Sequence, residues 1–360
     1  MRSVHAHPKK RIVAVLELIR RVRPLVSAYR DHGLEARATI LPTILCCFPR
    51  PLDHSPSVAY ISRQLSCGTS TALSLELCIL ASGSSGNSSL LRTPGGVVMI
   101  DAGLGPAMFR RRLEGTGVTL NDLRAIVLTH LDADHYRREW GGEALRRGMK
   151  IFCHARRRDD VAAGCDDVLE VTRTFYPHRP FEPLPGVRFR AIPLAHDEEG
   201  CHGFLIEHAD TKVGFATDLG HVPDTLIDRF CDVDIIAIES NYDPDMQLAS
   251  PRPLFLKNRI TGGSGHLSNQ QAFDAVRSIF DRCGSNGHAL PGHVVLLHRS
   301  RQCNCPRLVK TLFEQDPRIG ARLVLSEPYD RTDWLRPRNV DPAAGEQLTL
   351  SFDARHSLPR

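Results

Sequence analysis

No stretch of this chain is long and apolar enough to span a bilayer. The most apolar early run, ATILPTILCCF (38–48), is short and broken by proline. The N-terminus lacks the charged, apolar, small-residue order of a signal peptide. The 11 cysteines are odd in number and scattered. Cys303 and Cys305 form a C-x-C with no second Cys or His pair at zinc spacing, and are read as packing residues. Without an export signal, such cysteines read as reduced thiols rather than a disulfide framework. These absences argue against a membrane-spanning protein and a disulfide-stapled secreted domain. The expectation is a bacterial cytoplasmic protein.

A global excess of one charge is also missing from most of the chain. Residues 1–76 carry a net charge of +6, whereas the other 284 carry −1. Any nucleic-acid contact in the body must therefore come from a local patch.

Residues 1–76 differ from the rest of the chain. RIVAVLELIRRVRPLVSAYR (11–30) has the pattern of a basic amphipathic helix interrupted at Pro24. It reads as a nucleic-acid or membrane-surface arm, a weakly ordered tail, or upstream sequence from a misplaced start. From Leu77, short apolar β-type runs alternate with helix-like segments. The runs are LCILASG (77–83), GVVMIDAG (96–103), AIVLTH (125–130), KIFCH (150–154), VRFRAIPLAH (187–196), KVGFATD (212–218), DVDIIAIES (232–240) and HVVLLH (293–298). Helices are expected over 106–117, after His135, over 268–283 and over 306–315. The rhythm predicts an α/β domain over 77–330, followed by a Pro- and charge-rich tail over 331–360.

The ends of those runs carry the chemistry. Asp101, His130, His196, Asp218, Glu239 and His298 each close an apolar segment. In open α/β sheets, sites assemble beyond the carboxyl ends of strands, so such residues converge on one rim. THLDADH (129–135) is the densest cluster: His130 and Asp132 can reach one metal, while Asp134 and His135 can turn toward a second. Histidine and carboxylate suit zinc, and also harder ions such as manganese.

These residues resemble the metallo-β-lactamase fold of metallohydrolases, an αββα arrangement of two packed mixed sheets flanked by helices. The family run T-H-x-H-x-D-H reads THLDADH here, with Asp132 in place of the second histidine. PLAHD (His196), ATDLGH (Asp218) and LLHRS (His298) follow in the family's order. SGSSGNSS (82–89), ESNYD (239–243), RITGGSGHLSN (259–269) and HRSRQCNCP (298–306) resemble the WalJ/YycJ-type exonuclease branch. In the last motif Arg299 and Cys303 replace that branch's Leu and Asn.

The resemblance implies one metal on His130, Asp132 and His196, another on Asp134, His135 and His298, and Asp218 bridging both. The cofactors would be two divalent ions, zinc or manganese. It implies phosphodiester hydrolysis by metal-activated water, foremost by a DNA exonuclease, with Asp134 and His266 as catalytic residues. His266 would contact the scissile phosphate or protonate the leaving oxygen; it also fits a helix entry, with Ser268 or Asn269 as N-cap. Asp101 would orient a ligand histidine or cap a loop. The amides of SGSSGNSS would cradle a phosphate or form a plain turn. His178, His202 and His221 have no assigned role. The arginine runs at 110–112 and 156–158 read as phosphate contacts or solvated helix faces. EQLTLSF (346–352) resembles sliding-clamp-binding peptides through Gln347, Leu348 and Leu350, and also reads as a short edge strand. Rival readings are a small-molecule hydrolase on the same fold, cleaving a cyclic phosphodiester or a thioester, and a binding protein with an impaired metal site.

Overall fold

The computed structural model describes residues 75–337. The basic segment at 11–30 and the clamp-like motif at 346–352 lie outside the described residues, as do Gln347, Leu348 and Leu350.

Two sheets carry the fold. The first runs in sequence order through β1 (Glu76–Ala81), β2 (Ser88–Thr93), β3 (Gly96–Ile100), β4 (Leu123–Val127), β5 (Lys150–His154) and β6 (Thr172–Phe175). The second runs through β7 (Phe181–Leu184), β8 (Val187–Leu194), β9 (Cys201–His208), β10 (Thr211–Ala216), β11 (Ile235–Glu239), β12 (His293–Leu297) and β13 (Leu323–Leu325). Each begins as an antiparallel meander and continues as parallel strands. The change falls at β3 in one sheet and β10 in the other. Parallel strands need crossovers, and helices such as Glu139–Arg147 and Asn269–Ser285 lie on those connections.

The apolar runs are continuous because both faces of each sheet are covered. In β1, Leu77 and Ile79 enter the core between the sheets, beside Val98, Phe189 and Phe204. Cys78 and Leu80 face a second core holding Phe109 and Trp140 of the outer helices. The other outer core places Ile236 and Ile238 against Phe273, Val276 and Phe280 of Asn269–Ser285. Four layers, αββα, result, as the family resemblance implies. No helix among the described residues is long and apolar enough to cross a membrane.

Helix starts follow local chemistry. Pro106 and Pro306 open two helices, where a missing amide hydrogen costs nothing. Ser268 caps Asn269–Ser285 in a capping box with Gln271. Of the two N-cap candidates there, the structure uses Ser268, whereas Asn269 is buried and bonded to Ser240 and Asn304. Packing extends past residue 330: Leu335 exchanges backbone hydrogen bonds with Leu77, and the Thr332 amide donates to Ile79.

Candidate metal centre

The site lies where strand ends of both sheets meet. His130 follows β4, His196 follows β8, Asp218 follows β10 and His298 follows β12. Asp101, Asp197, Asp218 and His298 take positive φ angles of 60°, 43°, 54° and 50°. A left-handed conformation costs a non-glycine residue on the order of 1–2 kcal/mol. Here it turns the chain sharply at the strand end, and such strain clusters at functional sites.

All seven predicted ligand positions come together. His130, Asp132 and His196 form one group whose donor atoms lie within 4.8 Å of one another. Asp134, His135 and His298 form a second, and Asp218 joins His130 and His135 in a third. Asp132 Oδ2 is 3.9 Å from His130 Nε2 and 4.0 Å from His196 Nε2. Asp134 Oδ2 is 3.4 Å from His298 Nε2 and 3.8 Å from His135 Nε2. Asp218 Oδ2 is 3.0 Å from His135 Nε2, and its Oδ1 is 3.1 Å from His298 Nδ1.

Each imidazole turns one face to the protein and the other inward. Asp101 Oδ2 accepts the Nδ1 proton of His135 at 2.8 Å. His196 Nδ1 donates to Gly265 O at 3.1 Å. Thr129 Oγ1 lies 2.9 Å from His130 Nδ1. Glu239 Oε1 lies 3.0 Å from His298 Nδ1. These contacts fix ring orientation and turn the Nε2 atoms toward the centre, although His135 Nε2 also meets Asn87 Nδ2 and His298 Nδ1 also meets Asp218. His130 Nε2 is buried without a hydrogen-bond partner, an arrangement that a metal ion satisfies.

Electrostatics favour the same occupant. Burial alone would lower the His298 pKa, but Asp218, Asp134 and Glu239 outweigh it and push it up to about 10. Burial likewise opposes protonation of His135, and Asp218 and Asp101 outweigh it, holding its pKa well above the ordinary value. Converging carboxylates demand positive charge, which protonated histidines or divalent cations can supply. Cations leave the ring nitrogens as ligands, so the donor set fits divalent metal.

Asp101 combines both of its predicted roles. It orients His135, and its Oδ1 also accepts the Thr129 amide at 2.9 Å. Several amides of SGSSGNSS serve the turn itself: Gly83 N–H donates to Asn87 Oδ1, Gly86 N–H to Gly83 O, and Asn87 N–H to Asp134 O, while Ser84 lines the cavity. The turn also supports the centre: Asn87 Nδ2 sits 2.8 Å from His135 Nε2, and Ser82 Oγ accepts the His298 amide. A Cβ on neighbouring Gly103 would fall 1.8 Å from Asp134 O, so only glycine permits this approach.

Glu239 is the principal residue whose role the sequence did not reveal. It is fully buried. Its Oε2 accepts the amides of Leu219 and Leu267, while Oε1 lies 2.8 Å from His266 Nδ1. With both oxygens engaged, Glu239 positions His266 and His298; its donor atom also lies within 4.8 Å of those of Asp218, His266 and His298, a fourth group able to hold metal. Its strand-end place was the available signal. His266 joins the cavity, of about 460 Å³, that Asp132, Asp134, His196, Asp218 and His298 also line. Burial opposes a raised His266 pKa, but Glu239 and Asp218 raise it.

Other marked residues fall elsewhere. Cys303 packs with Tyr242 and Ile260. Arg299 is buried and paired with Glu327. His221 lies 2.8 Å from Gly263 O through Nδ1. Arg157 pairs with Asp160 and Glu199, whereas Arg111 and Arg112 border a separate groove. A larger cavity, about 760 Å³, adjoins His130 but lacks Asp132, Asp134 and Asp218, so it is not the metal centre. His178 and the stacked His154–His202 pair line it.

Burial and His154 push the His202 pKa down to about 4. Unfolded histidine titrates near 6.5. The stabilising contribution is therefore present above about pH 6.5 and is lost as pH falls toward about 4. Between pH 7 and 4, His202→Phe should reduce the acid-induced stability loss by roughly 3 kcal/mol in urea melts. Equal losses in both proteins would contradict this.

A two-sheet αββα sandwich with a His- and Asp-rich rim defines a metallo-β-lactamase-fold hydrolase. Residues 97–294 match the beta-lactamase superfamily domain, and the chain belongs to that family. It is similar to exodeoxyribonuclease WalJ of Streptococcus pneumoniae, with 26% identity over 263 residues, covering 69% of this chain and 92% of the relative. It is also similar to exodeoxyribonuclease YycJ of Bacillus anthracis, with 21% identity over 243 residues, covering 68% and 89%. Among solved structures, the metallo-beta-lactamase fold protein YhfI of Bacillus subtilis superposes with a TM-score of 0.52 at 13% identity, covering 72% of this chain and 99% of its own.

Proposed function

We propose that the protein is a cytoplasmic two-metal phosphodiesterase acting on DNA, an exodeoxyribonuclease. The convergence of seven His and Asp side chains into two triads linked by Asp218 carries the metal-dependent part. Similarity to two exodeoxyribonucleases over about nine-tenths of their lengths supports DNA as substrate.

In this reading His130, Asp132 and His196 would hold one ion and Asp134, His135 and His298 the other, with Asp218 shared by the two groups. Two divalent ions, manganese or zinc, supply Lewis-acid activation of water and neutralisation of phosphate charge. Asp101, Gly265 and Glu239 keep their histidines oriented through Nδ1. Burial would raise the Asp134 pKa, but His298 and His135 outweigh it and lower it. Asp134 therefore stays ionised and acts by holding charge and orienting water rather than by storing a proton. Glu239 holds His266 by Nδ1 and favours its protonated form, so Nε2–H can donate to the departing oxygen.

Hydrolysis of a small cyclic phosphodiester is the rival on this fold. Arg252 along the cavity, with no carboxylate partner among the described residues, favours the nucleic-acid reading, since basic rims suit phosphate chains. The test is cleavage of end-labelled DNA and RNA with manganese. Stepwise shortening of DNA, with RNA cut at least tenfold more slowly, is expected. Cleavage of a cyclic phosphodiester with neither polymer cut would replace this reading with its rival.

A further inference from the structure

We propose that the lip of the metal-centre cavity carries a second phosphate site, anchored by Arg252, for the phosphate adjoining the one hydrolysed. This rests on the nucleic-acid reading above and sharpens it, because a chain with successive phosphates can use such a site and a single-phosphate ester cannot.

Three arginines near this end of the cavity differ in charge balance. Arg259 is tied to the carboxylate of Asp197. Arg299 is buried and tied to Glu327. Arg252 has no carboxylate partner among the described residues. Its Nε and Nη2 each lie 3.3 Å from Gln302 Oε1, its Nη1 lies 3.3 Å from Gln247 Oε1, and its Nη2 lies 3.5 Å from Ser300 Oγ. These neutral acceptors orient the guanidinium without cancelling its charge. The contacts are long, so its donors remain available to an anion. A planar guanidinium offers the paired donors that phosphate oxygens accept.

Placement sets which phosphate this is. Arg252 bonds to Gln247, Ser300 and Gln302 and to none of the seven ligand side chains, so an anion it holds need not be the one at the metals. Ser300 follows His298 by two residues, so no more than about 7 Å of backbone separates that partner from the cluster. Arg252, Ser300 and Gln302 line the same cavity as Asp132, Asp134 and His298. Gln247, whose Oε1 faces Arg252, is 1% exposed, so this support is held in the protein interior. Leu254 and Phe255, 72% and 74% exposed, follow Arg252 in the sequence.

The test compares wild type, Arg252→Gln and Arg252→Lys on a short DNA oligonucleotide and on bis(p-nitrophenyl) phosphate, which has one phosphate. Arg252→Gln should raise KM for the oligonucleotide about tenfold with kcat held within about twofold. The slope of log KM against log salt should fall by about one, as expected when one phosphate contact is lost. Arg252→Lys should restore the slope more fully than KM, because charge returns without the paired donors. Wild-type KM and salt slope in Arg252→Gln, or an equal KM rise on bis(p-nitrophenyl) phosphate, would overturn the anchor while leaving the nuclease reading intact. A wild type that hydrolyses bis(p-nitrophenyl) phosphate but neither binds nor cuts the oligonucleotide would overturn the nuclease reading, and the anchor with it.

Discussion

Replacing Asp218 with Asn should reduce phosphodiester hydrolysis at least a thousandfold, because the substitution removes a carboxylate that groups with members of both triads. Its Oδ2 lies against His135 and its Oδ1 against His298, both of one triad, and it groups with His130 of the other; Thr217 Oγ1 donates to Oδ2 at 2.8 Å. Asparagine keeps the volume and loses the charge. Metal-ion catalysis supplies several kcal/mol of charge stabilisation, and each 1.36 kcal/mol is a factor of ten. The same variant should lose the stabilisation that added manganese gives wild type, about 2.7 kcal/mol for each ion at a hundred times its Kd. Thermal melts with and without manganese check this. Full activity, or an unchanged manganese-induced shift, would show that Asp218 does not join the two ions.

Asp132→Ala should also abolish activity by a comparable factor, whereas Asp132→His should retain part of it and shift the metal optimum from manganese toward zinc. Asp132 occupies the position of the family's second histidine, and its oxygen faces His130 and His196. Its side chain is half exposed, at 50%, so either residue has room at the mouth of the site. An aspartate brings a hard oxygen and a negative charge. Two divalent ions against three carboxylates leave one net positive charge, and a histidine at 132 would leave two. The softer, more positive site suits zinc better. Activity profiles over a range of manganese and zinc concentrations measure the shift. Unreduced activity in Asp132→Ala would remove the residue from the site, and identical metal profiles for aspartate and histidine would remove the charge argument.

The parts legible in the sequence were those where residue type and strand pattern coincide. AIVLTH, KVGFATD and HVVLLH each combine a buried strand with a polar terminus, so both the layer and the rim could be read from the same letters. β9, CHGFLIEH, mixes polar and apolar residues without a regular period, and β13 is only three residues long; neither stood out. β2 follows a Gly- and Ser-rich turn that masks its start. The positive φ of Asp101, Asp218 and His298 has no sequence signature, because tertiary contacts impose it. Glu239 showed its strand-end place but not its role, which depends on amides from Leu219 and Leu267, 20 and 28 residues away. Arg252 gave less signal still. Its meaning lies in having glutamine and serine neighbours where Arg259 has aspartate, and only the folded chain sets those neighbours.

The most direct test of the metal centre is the number of manganese ions bound per chain, counted by elemental analysis after equilibrium dialysis of metal-free wild type and Asp218→Asn. Two ions per wild-type chain, with at least one lost in the variant, is the predicted result. One or no ion in wild type, or two held equally well by Asp218→Asn, would contradict a two-ion centre joined by Asp218.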